Sequence, residues 1–251
     1  MEKVRKTKLL AYFCSIISIL IVWIFLSWAI SAELILPSPL AVLKDFSVLI
    51  QSVKFWKSFF YTFLRVMASF SLSIIFGFIT GYLCSESLFF KKFMEIPLTV
   101  IKSTPVIAVI LITLFWFTSN WVPVFAGILM SFPVITEAVT AGFSQNNQKM
   151  LVMAQCYNFS KYEIFRYIKL PVCKPYFFSG ADTVFGISWK VVAAAEVLCL
   201  PKYAAGALMQ TAQIHLESSR VISLTITLVF FSFLLRQAVV FVYSRGKYGK
   251  K

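Results

Sequence analysis

Long apolar runs separated by short polar stretches form the dominant pattern along this chain. Several runs approach the roughly 20 residues that a helix needs to cross the hydrocarbon core of a bilayer. A transmembrane β-barrel would instead show alternating segments of about ten residues. The sequence therefore predicts an all-α membrane protein with six transmembrane helices, at about 9–30, 59–84, 96–117, 122–143, 176–198 and 221–243.

The first apolar run follows four basic residues, so it also has some features of a signal peptide. However, it is longer than the apolar region of most signal peptides, and the candidate cleavage site at Ser31–Ala32 follows the bulky Trp28 and Ile30. We therefore favour an uncleaved first span whose amino terminus lies in the cytoplasm.

The longest polar interruption between the apolar runs covers 149–175 and carries five basic residues. Its first half has helical spacing, Asn158 breaks the pattern, and a second helical stretch is predicted to stop at Pro171. A helix–turn–helix with an apolar stripe is suited to lie at the bilayer surface and dock a partner. We interpret this segment as a cytoplasmic coupling helix between spans four and five.

The other breaks in the pattern indicate how the chain is organised. Pro37 and Pro39 end the first helix, and helical spacing with an apolar face follows them. The sequence predicts a cytoplasmic tail with the first span at 1–35, a periplasmic amphipathic segment at 36–58, a transmembrane domain at 59–243 and a basic cytoplasmic tail at 244–251.

Composition and charge support this orientation. The chain is 59% hydrophobic and only 14% charged, against roughly 25% charged residues in soluble domains. The net charge of +14 does not indicate nucleic-acid binding, because the basic residues flank the apolar runs. Six spans put sixteen basic residues on the inner side and five on the outer side, as the positive-inside rule requires. Both termini of the multi-pass protein are then cytoplasmic.

A small-xxx-small pair, Gly77 and Gly81, lies within the second span. Such pairs allow two helices to approach closely. The contact is either packing within one subunit, which we favour, or an interface between two copies.

Sequence signals of enzymatic chemistry are missing from the chain. It has no GxxxxGK[ST] phosphate-binding stretch and no GxSxG motif. Its five cysteines form no CxxC pair, and its one histidine, His215, has no cluster of potential ligands around it. We expect no enzyme activity, no cofactor and no metal site.

Ionisable residues inside the predicted spans are the remaining chemical signal. They would be costly facing lipid, so each lines a translocation path or pairs with another helix. Lys190 and Glu196 are six residues apart and point in different directions around a helix, so they are not expected to pair. Lys102 could attract an anionic solute, and Glu196 lies near the outer end of its span. The residues in question are Lys102, Glu137, Lys190 and Glu196, with Asp182 nearby.

Several stretches, taken in order, resemble the permease subunit of type I ABC importers, specifically the branch that serves nitrate, sulfonate and taurine. The family carries a cytoplasmic loop of the form EAA, three residues, Gly, nine residues, Ile-x-Leu-Pro. Here Ile168 to Pro171 form its end, Asn158 stands at the glycine, and Val152 to Ala154 replace EAA. The resemblance covers about four fifths of the chain and includes the segments Leu36–Pro39, Leu64–Val66, Lys102–Pro105 and Ser188–Glu196.

The departures from the family pattern lead to two expectations. Asn158 preserves a sharp turn, because asparagine tolerates left-handed geometry better than other non-glycine residues. Val152 removes a carboxylate, so the contact with an ATPase is expected to rest on apolar burial. The residues expected to make this coupling contact are Met150, Val152, Met153, Ala154, Tyr157, Asn158, Leu170 and Pro171.

The resemblance implies an ATP-driven importer that takes up a small, anionic or organic solute. Its partners would be two cytoplasmic ATPase subunits, a periplasmic or lipid-anchored solute-binding protein and a second permease copy, with ATP hydrolysed outside this chain. Two other functions stay open at this point: a secondary transporter or channel that works without an ATPase, and a membrane scaffold that transports nothing.

Overall fold

A computed structural model of the protein describes residues 2–145 and 148–248. Every regular element in these ranges is helical. The first five helices are α1 (Glu2–Ile30), α2 (Pro39–Ile50), α3 (Val53–Glu86), α4 (Leu88–Ser103) and α5 (Val106–Thr113). They are followed by α6 (Val122–Ser144), α7 (Gln148–Cys156), α8 (Lys161–Ile164), α9 (Leu170–Cys199), α10 (Ala205–Ile214) and α11 (Ser218–Tyr248).

Four of these helices are long and apolar enough to cross a membrane: α1 from Leu10, α3, α6, and α11 as far as Gln237. The pair α4 and α5 makes a fifth candidate if it is counted as one broken span. Helix α9 has 30 residues but is not among the candidates, since four charged residues interrupt its apolar pattern. The all-helical membrane class is confirmed, and apolarity alone gives four or five spans rather than six.

The segment predicted as one span at 96–117 is two helices, α4 and α5, that meet at 96°. The break lies at Thr104 and Pro105, where both residues have extended backbone. Pro105 has no amide hydrogen for the ladder and disfavours helical geometry at Thr104. The prediction of an uninterrupted span here is wrong.

The core of the bundle is formed by α3, α6 and α9, with α6 packed most extensively against the other two. One buried cluster joins α3, α9 and α11 through residues such as Phe59, Phe185 and Leu224. A second buried cluster joins α5, α6 and α9. A third, around Ile135, Val139 and Phe143, fills the end of the bundle where α9 begins.

The glycines of α3 explain its close approach to α6. A Cβ atom on Gly77 would lie 2.0 Å from Ile135 Cγ2, and one on Gly81 would lie 2.7 Å from the Thr136 carbonyl oxygen. The pair therefore serves packing within one chain, which was the favoured alternative.

Helix α1 lies at the side of the bundle, and side chains in its carboxy-terminal part hydrogen-bond to the segment that follows it. The Trp23 indole donates to the Pro37 carbonyl at 3.1 Å, and the Ser27 hydroxyl donates to the Leu36 carbonyl at 3.2 Å. None of the 18-residue apolar window of α1 is buried against the rest of the chain.

The last helix is longer than the sequence predicted. Helix α11 continues to Tyr248, beyond the end predicted for the sixth span. Residues 249–251 of the predicted basic tail lie outside the described residues.

Candidate functional site

The segment predicted to couple is a helix–turn–helix between α6 and α9. Helix α7 ends in a Schellman motif, in which the Phe159 amide donates to Ala154 O at 2.9 Å and the Asn158 amide donates to Gln155 O at 3.0 Å. Asn158 has φ 55°, the left-handed conformation that this motif needs at the first residue after the helix. The positive φ expected from its place at the family's glycine position is confirmed.

The chain then turns into α8 through a capping box. The Ser160 hydroxyl accepts from the Glu163 amide at 3.2 Å, and the Glu163 carboxylate accepts from the Ser160 amide at 2.8 Å. These hydrogen bonds stabilise the ionised form of the carboxyl. The bond from the Ser160 amide, followed by that from its hydroxyl, holds the pKa of Glu163 below its ordinary value. The second helix of the segment therefore has a well-defined start.

Helical structure does not stop at Pro171, contrary to the prediction. A π-helical turn at Phe165–Lys169 connects α8 directly to α9, with Pro171 in the first turn of α9. Proline is well tolerated there. The second half of the segment, from Lys161, and the core helix α9 thus form one continuous helical stretch that ends at Cys199.

The side chains predicted to couple fall into two sets. Four large side chains are exposed around α7 and its end, and we call this set the docking face, although Val152 points away from the other three. They are Met150, Val152, Met153 and Tyr157, with exposed fractions of 48%, 58%, 55% and 73%. Asn158 and Pro171 are also exposed.

Two other residues of the predicted coupling set are turned toward the bundle. Ala154 is only 2% exposed, and Leu170 is half-buried against the cluster around Val139 and Phe143. A role for these two residues in coupling stays a prediction. The exposed apolar set is smaller than the predicted one.

At the other end of α9, about 45 Å away for a 30-residue helix, lies a polar network around Glu196. The Glu196 carboxylate is fully buried and accepts from Arg65 Nη1 at 2.8 Å. It also accepts from the Thr62 hydroxyl at 2.8 Å and from the Gly206 amide at 3.2 Å. The network ties α3, α9 and α10 together, so the contacts favour helix pairing rather than a translocation path as the role of Glu196.

Arg65 extends the Glu196 network to two further segments. Its Nη1 also donates to the Tyr203 carbonyl at 2.8 Å, and its Nη2 donates to Asn120 Oδ1 at 3.0 Å. Arg65 lies within the span predicted at 59–84, but the sequence pattern does not predict its partner. The signal was the charge itself, because an arginine inside an apolar run needs a carboxylate from another helix.

A cleft of about 510 Å³ opens above Arg65. We call it the Tyr203 cleft. Its polar and aromatic lining comes from Arg65, Asn120, Lys202, Tyr61, Trp121 and Tyr203. The Lys57 and Lys202 ammonium groups lie 5.9 and 5.7 Å from the centre of the Tyr203 ring. No ion pair of either lysine occurs among the described residues, so the mouth of the cleft carries uncompensated positive charge.

The other predicted intramembrane charges are separate from the Glu196 network. Lys102, at the end of α4, pairs with Glu137 on α6, and both side chains are largely exposed. Lys190 on α9 is exposed and has no hydrogen bond or ion pair within the described part of the chain. The structure therefore does not bring the four residues together into one site.

Asp182 on α9 has a partner that the sequence did not predict. Arg236 on α11 donates to both of its carboxylate oxygens, from Nε at 2.6 Å and from Nη2 at 2.5 Å. This two-point ion pair holds the last long helix against the core.

Long apolar helices with a polar network buried between them define a multi-pass helical membrane protein. A family model described as "Binding-protein-dependent transport system inner membrane component" matches residues 73–246. The chain belongs to this family. A membrane component of such a transport system is a permease and not an enzyme, and ATP hydrolysis falls to a separate subunit.

A solved structure shares the fold. The crystal structure of an amino acid ABC transporter with histidines matches with a TM-score of 0.60 and 15% sequence identity, over 82% of this chain and 95% of that chain. The comparison with curated proteins gave no match.

Proposed function

We propose that this chain is the membrane-spanning permease subunit of an ATP-driven importer, coupled to separate ATPase subunits through the docking face. The observation that carries the proposal is the exposure of Met150, Val152, Met153 and Tyr157 on one short helical segment. Large apolar side chains exposed together at a polar bundle end are typical of a surface that a partner covers. Membership of a transport family makes the ATPase subunit the expected partner.

The proposed topology has six spans, with α9 as the sixth membrane-crossing helix and α4 with α5 as one broken span. Helix α9 lies at the centre of the bundle, between α3, α6 and α11. Two of its charged residues are satisfied by other helices, since Glu196 pairs with Arg65 and Asp182 pairs with Arg236. Both termini and the coupling segment then lie on the basic, cytoplasmic side of the bacterial inner membrane.

A second permease copy completes the proposed transporter, with the translocation path between the two. Lys190 and the Lys102–Glu137 pair are the candidates to line it, because they are exposed ionisable groups within the proposed spans. Glu196 is assigned to helix pairing instead. The solute-binding protein is expected to dock at 36–57 and 201–220, around the Tyr203 cleft.

The proposed solute is a small anion or an organic molecule that carries one. Support for this comes from Lys57 and Lys202 beside the Tyr203 cleft rather than from Lys102, whose charge is balanced by Glu137. Benzenesulfonate binding to the purified chain in nanodiscs tests this point, with neutral benzamide as the control. Replacing both lysines by glutamine is expected to weaken binding roughly fivefold, about 1 kcal/mol. Equal binding of the two compounds would contradict an anion preference.

A secondary transporter is the main alternative. That class typically has broken helices at corresponding positions of two repeats. Within the described residues one bent helix pair occurs, α4 with α5, and the long helices α3, α6 and α9 run through without such a break. Among the described residues no second broken helix occurs at a corresponding position, and this favours the ATP-driven permease.

Crosslinking from Cys156, an exposed cysteine at the end of α7, tests the proposal directly. A benzophenone attached to Cys156 is expected to capture the co-purifying ATPase, with a yield that differs between nucleotide-free and vanadate-trapped states. The Cys156→Ser chain, which keeps the exposed Cys14, is the matched control. Failure to capture an ATPase in either state would overturn docking at this segment.

A further inference from the structure

The π-helical turn between the docking segment and α9 has a specific local cause. In this turn the Leu170 amide bonds to Phe165 O, five residues back. Pro171 follows directly, and its ring and missing amide hydrogen disturb the regular ladder one turn before it. Single wide turns of this kind are frequent at functional sites. Phe165 and Lys169 are the first and last residues of this turn, and both contact the bundle.

Phe165 is held by two aromatic residues on different helices. Its ring centre lies 5.4 Å from that of Tyr82 on α3, edge to face, and 6.0 Å from that of Phe143 on α6, nearly parallel. Tyr82 and Phe143 are themselves 5.2 Å apart. One side chain of the turn therefore contacts the ends of both α3 and α6.

Lys169 makes a second attachment at the same place. Its ammonium group pairs with the Glu86 carboxylate at the last residue of α3. The Lys169 side chain is 19% exposed and that of Glu86 is 39% exposed, so the pair lies against the bundle rather than free in solvent. By contrast, Tyr167 in the same turn is 66% exposed.

We propose that Phe165 and Lys169 form a clamp that carries displacement of the docking face to the ends of α3 and α6. Phe165 acts through Tyr82 and Phe143, and Lys169 acts through Glu86. The inference rests on the proposed function and goes further, because it names the positioning residues that connect the partner surface to the moving spans.

The mechanical reason lies in the two joints of the segment. Helix α7 reaches α8 through the turn at Asn158, and α8 reaches α9 through the π-turn. The turn at Asn158 separates α7 from the continuous helical stretch that follows, so a push on α7 reaches the bundle only if a contact beyond Asn158 is fixed there. The clamp supplies that contact at two points, the first and last residues of the π-turn.

The test uses the assembled transporter in nanodiscs, with a reporter at the far end of the bundle. Leu64→Cys, beside the Tyr203 cleft, is introduced with Cys14→Ser and Cys156→Ser, and its labelling rate by a membrane-impermeant maleimide is measured. In the otherwise unchanged chain the rate is expected to differ at least about fivefold between nucleotide-free and vanadate-trapped states, the lower end of typical coupling between sites.

The clamp variant carries Phe165→Ala and Lys169→Gln. Its ATPase subunit is expected to co-purify as before, while the nucleotide-dependent difference falls below about twofold. The matched control carries Tyr167→Ala and Lys174→Gln, two exposed residues from the same stretch, and is expected to keep the full difference. Lys169→Glu alone should reduce the difference, and adding Glu86→Lys should restore it, a rescue that general loss of folding would not give.

Two results would overturn the inference in distinguishable ways. If the ATPase co-purifies and the clamp variant keeps the full difference, or the control loses it equally, the clamp is wrong and the proposed function stands. If no ATPase co-purifies with the unchanged chain, the proposed function fails and the clamp fails with it.

Discussion

Arg65 and Glu196 form a buried ion pair at 2.8 Å that joins α3 to the last turn of α9 across 131 residues of sequence. The Glu196 side chain is fully buried, and that of Arg65 is 9% exposed. Removing one partner of such a pair leaves the other charge buried without compensation. The pair is therefore a requirement of the bundle, whatever the solute.

We expect Arg65→Ala to lower the free energy of unfolding by about 3–5 kcal/mol, because the Glu196 carboxylate loses its only cation within reach among the described residues. Unfolding in mixed micelles measures this. Lys92→Ala, which breaks the exposed Lys92–Glu95 pair, is the control and should cost less than about 1 kcal/mol. Equal costs for the two variants would contradict the buried role of Arg65.

The contact between α3 and α6 predicts a clear difference between two glycines. Gly81→Ala should destabilise the protein by about 1–3 kcal/mol, since its Cβ would press on the Thr136 carbonyl, a backbone atom that cannot rotate away. Gly186→Ala on α9 meets nothing within 4 Å and should be neutral or stabilising by up to about 1 kcal/mol. Thermal unfolding of both variants decides the matter, and a stable Gly81→Ala chain would argue against the close approach.

The turn at Asn158 predicts an order of substitutions. Asn158→Gly should keep or improve stability because glycine adopts φ 55° without strain. Asn158→Val should cost at least about 1–2 kcal/mol, because a β-branched side chain is strained in the left-handed region.

The readout for the Asn158 series is the amount of ATPase that co-purifies, together with the thermal stability of the chain. Gln155→Val, three residues earlier inside α7, is the control for loss of a polar side chain. Valine tolerated equally at both positions would show that the turn does not constrain the segment.

The capping box at the start of α8 predicts a dependence on pH. The pKa of Glu163 is lowered in the folded chain by its hydrogen bonds with Ser160, so its stabilising effect is present above the ordinary glutamate pKa. The effect is lost as the pH falls through the lowered value.

Hydrogen exchange of the Ser160 and Glu163 amides, the two donors of the capping box, measures the capping effect. Glu163→Gln should lower their protection factors at neutral pH by roughly twofold to fivefold and should abolish the loss of protection expected in the parent chain on acidification. The amides of α7 serve as the internal reference. A parent chain whose α8 protection does not fall in acid would contradict the cap.

Much of the fold could be predicted from local pattern. Four of the predicted apolar runs form the helices α1, α3, α6 and α11. A run of about 20 apolar residues avoids water only inside a bilayer or a protein core. The left-handed backbone of Asn158 could also be predicted. Asn158 stands at the glycine of the family pattern, and asparagine tolerates a positive φ. The break at Pro105 did not follow, since Pro133 and Pro175 remain inside helices. Packing around each proline decides whether the helix continues.

The sequence by itself determined that this chain is a bundle of membrane helices with a helix–turn–helix segment between α6 and α9, because periodicity and hydrophobicity are local properties. Only the tertiary structure decided that Glu196 pairs with Arg65, that Ala154 faces inward and that Phe165 rests on Tyr82 and Phe143. These are contacts between residues far apart in sequence. Their formation depends on how helices rotate against one another, and no single segment of the chain specifies that rotation.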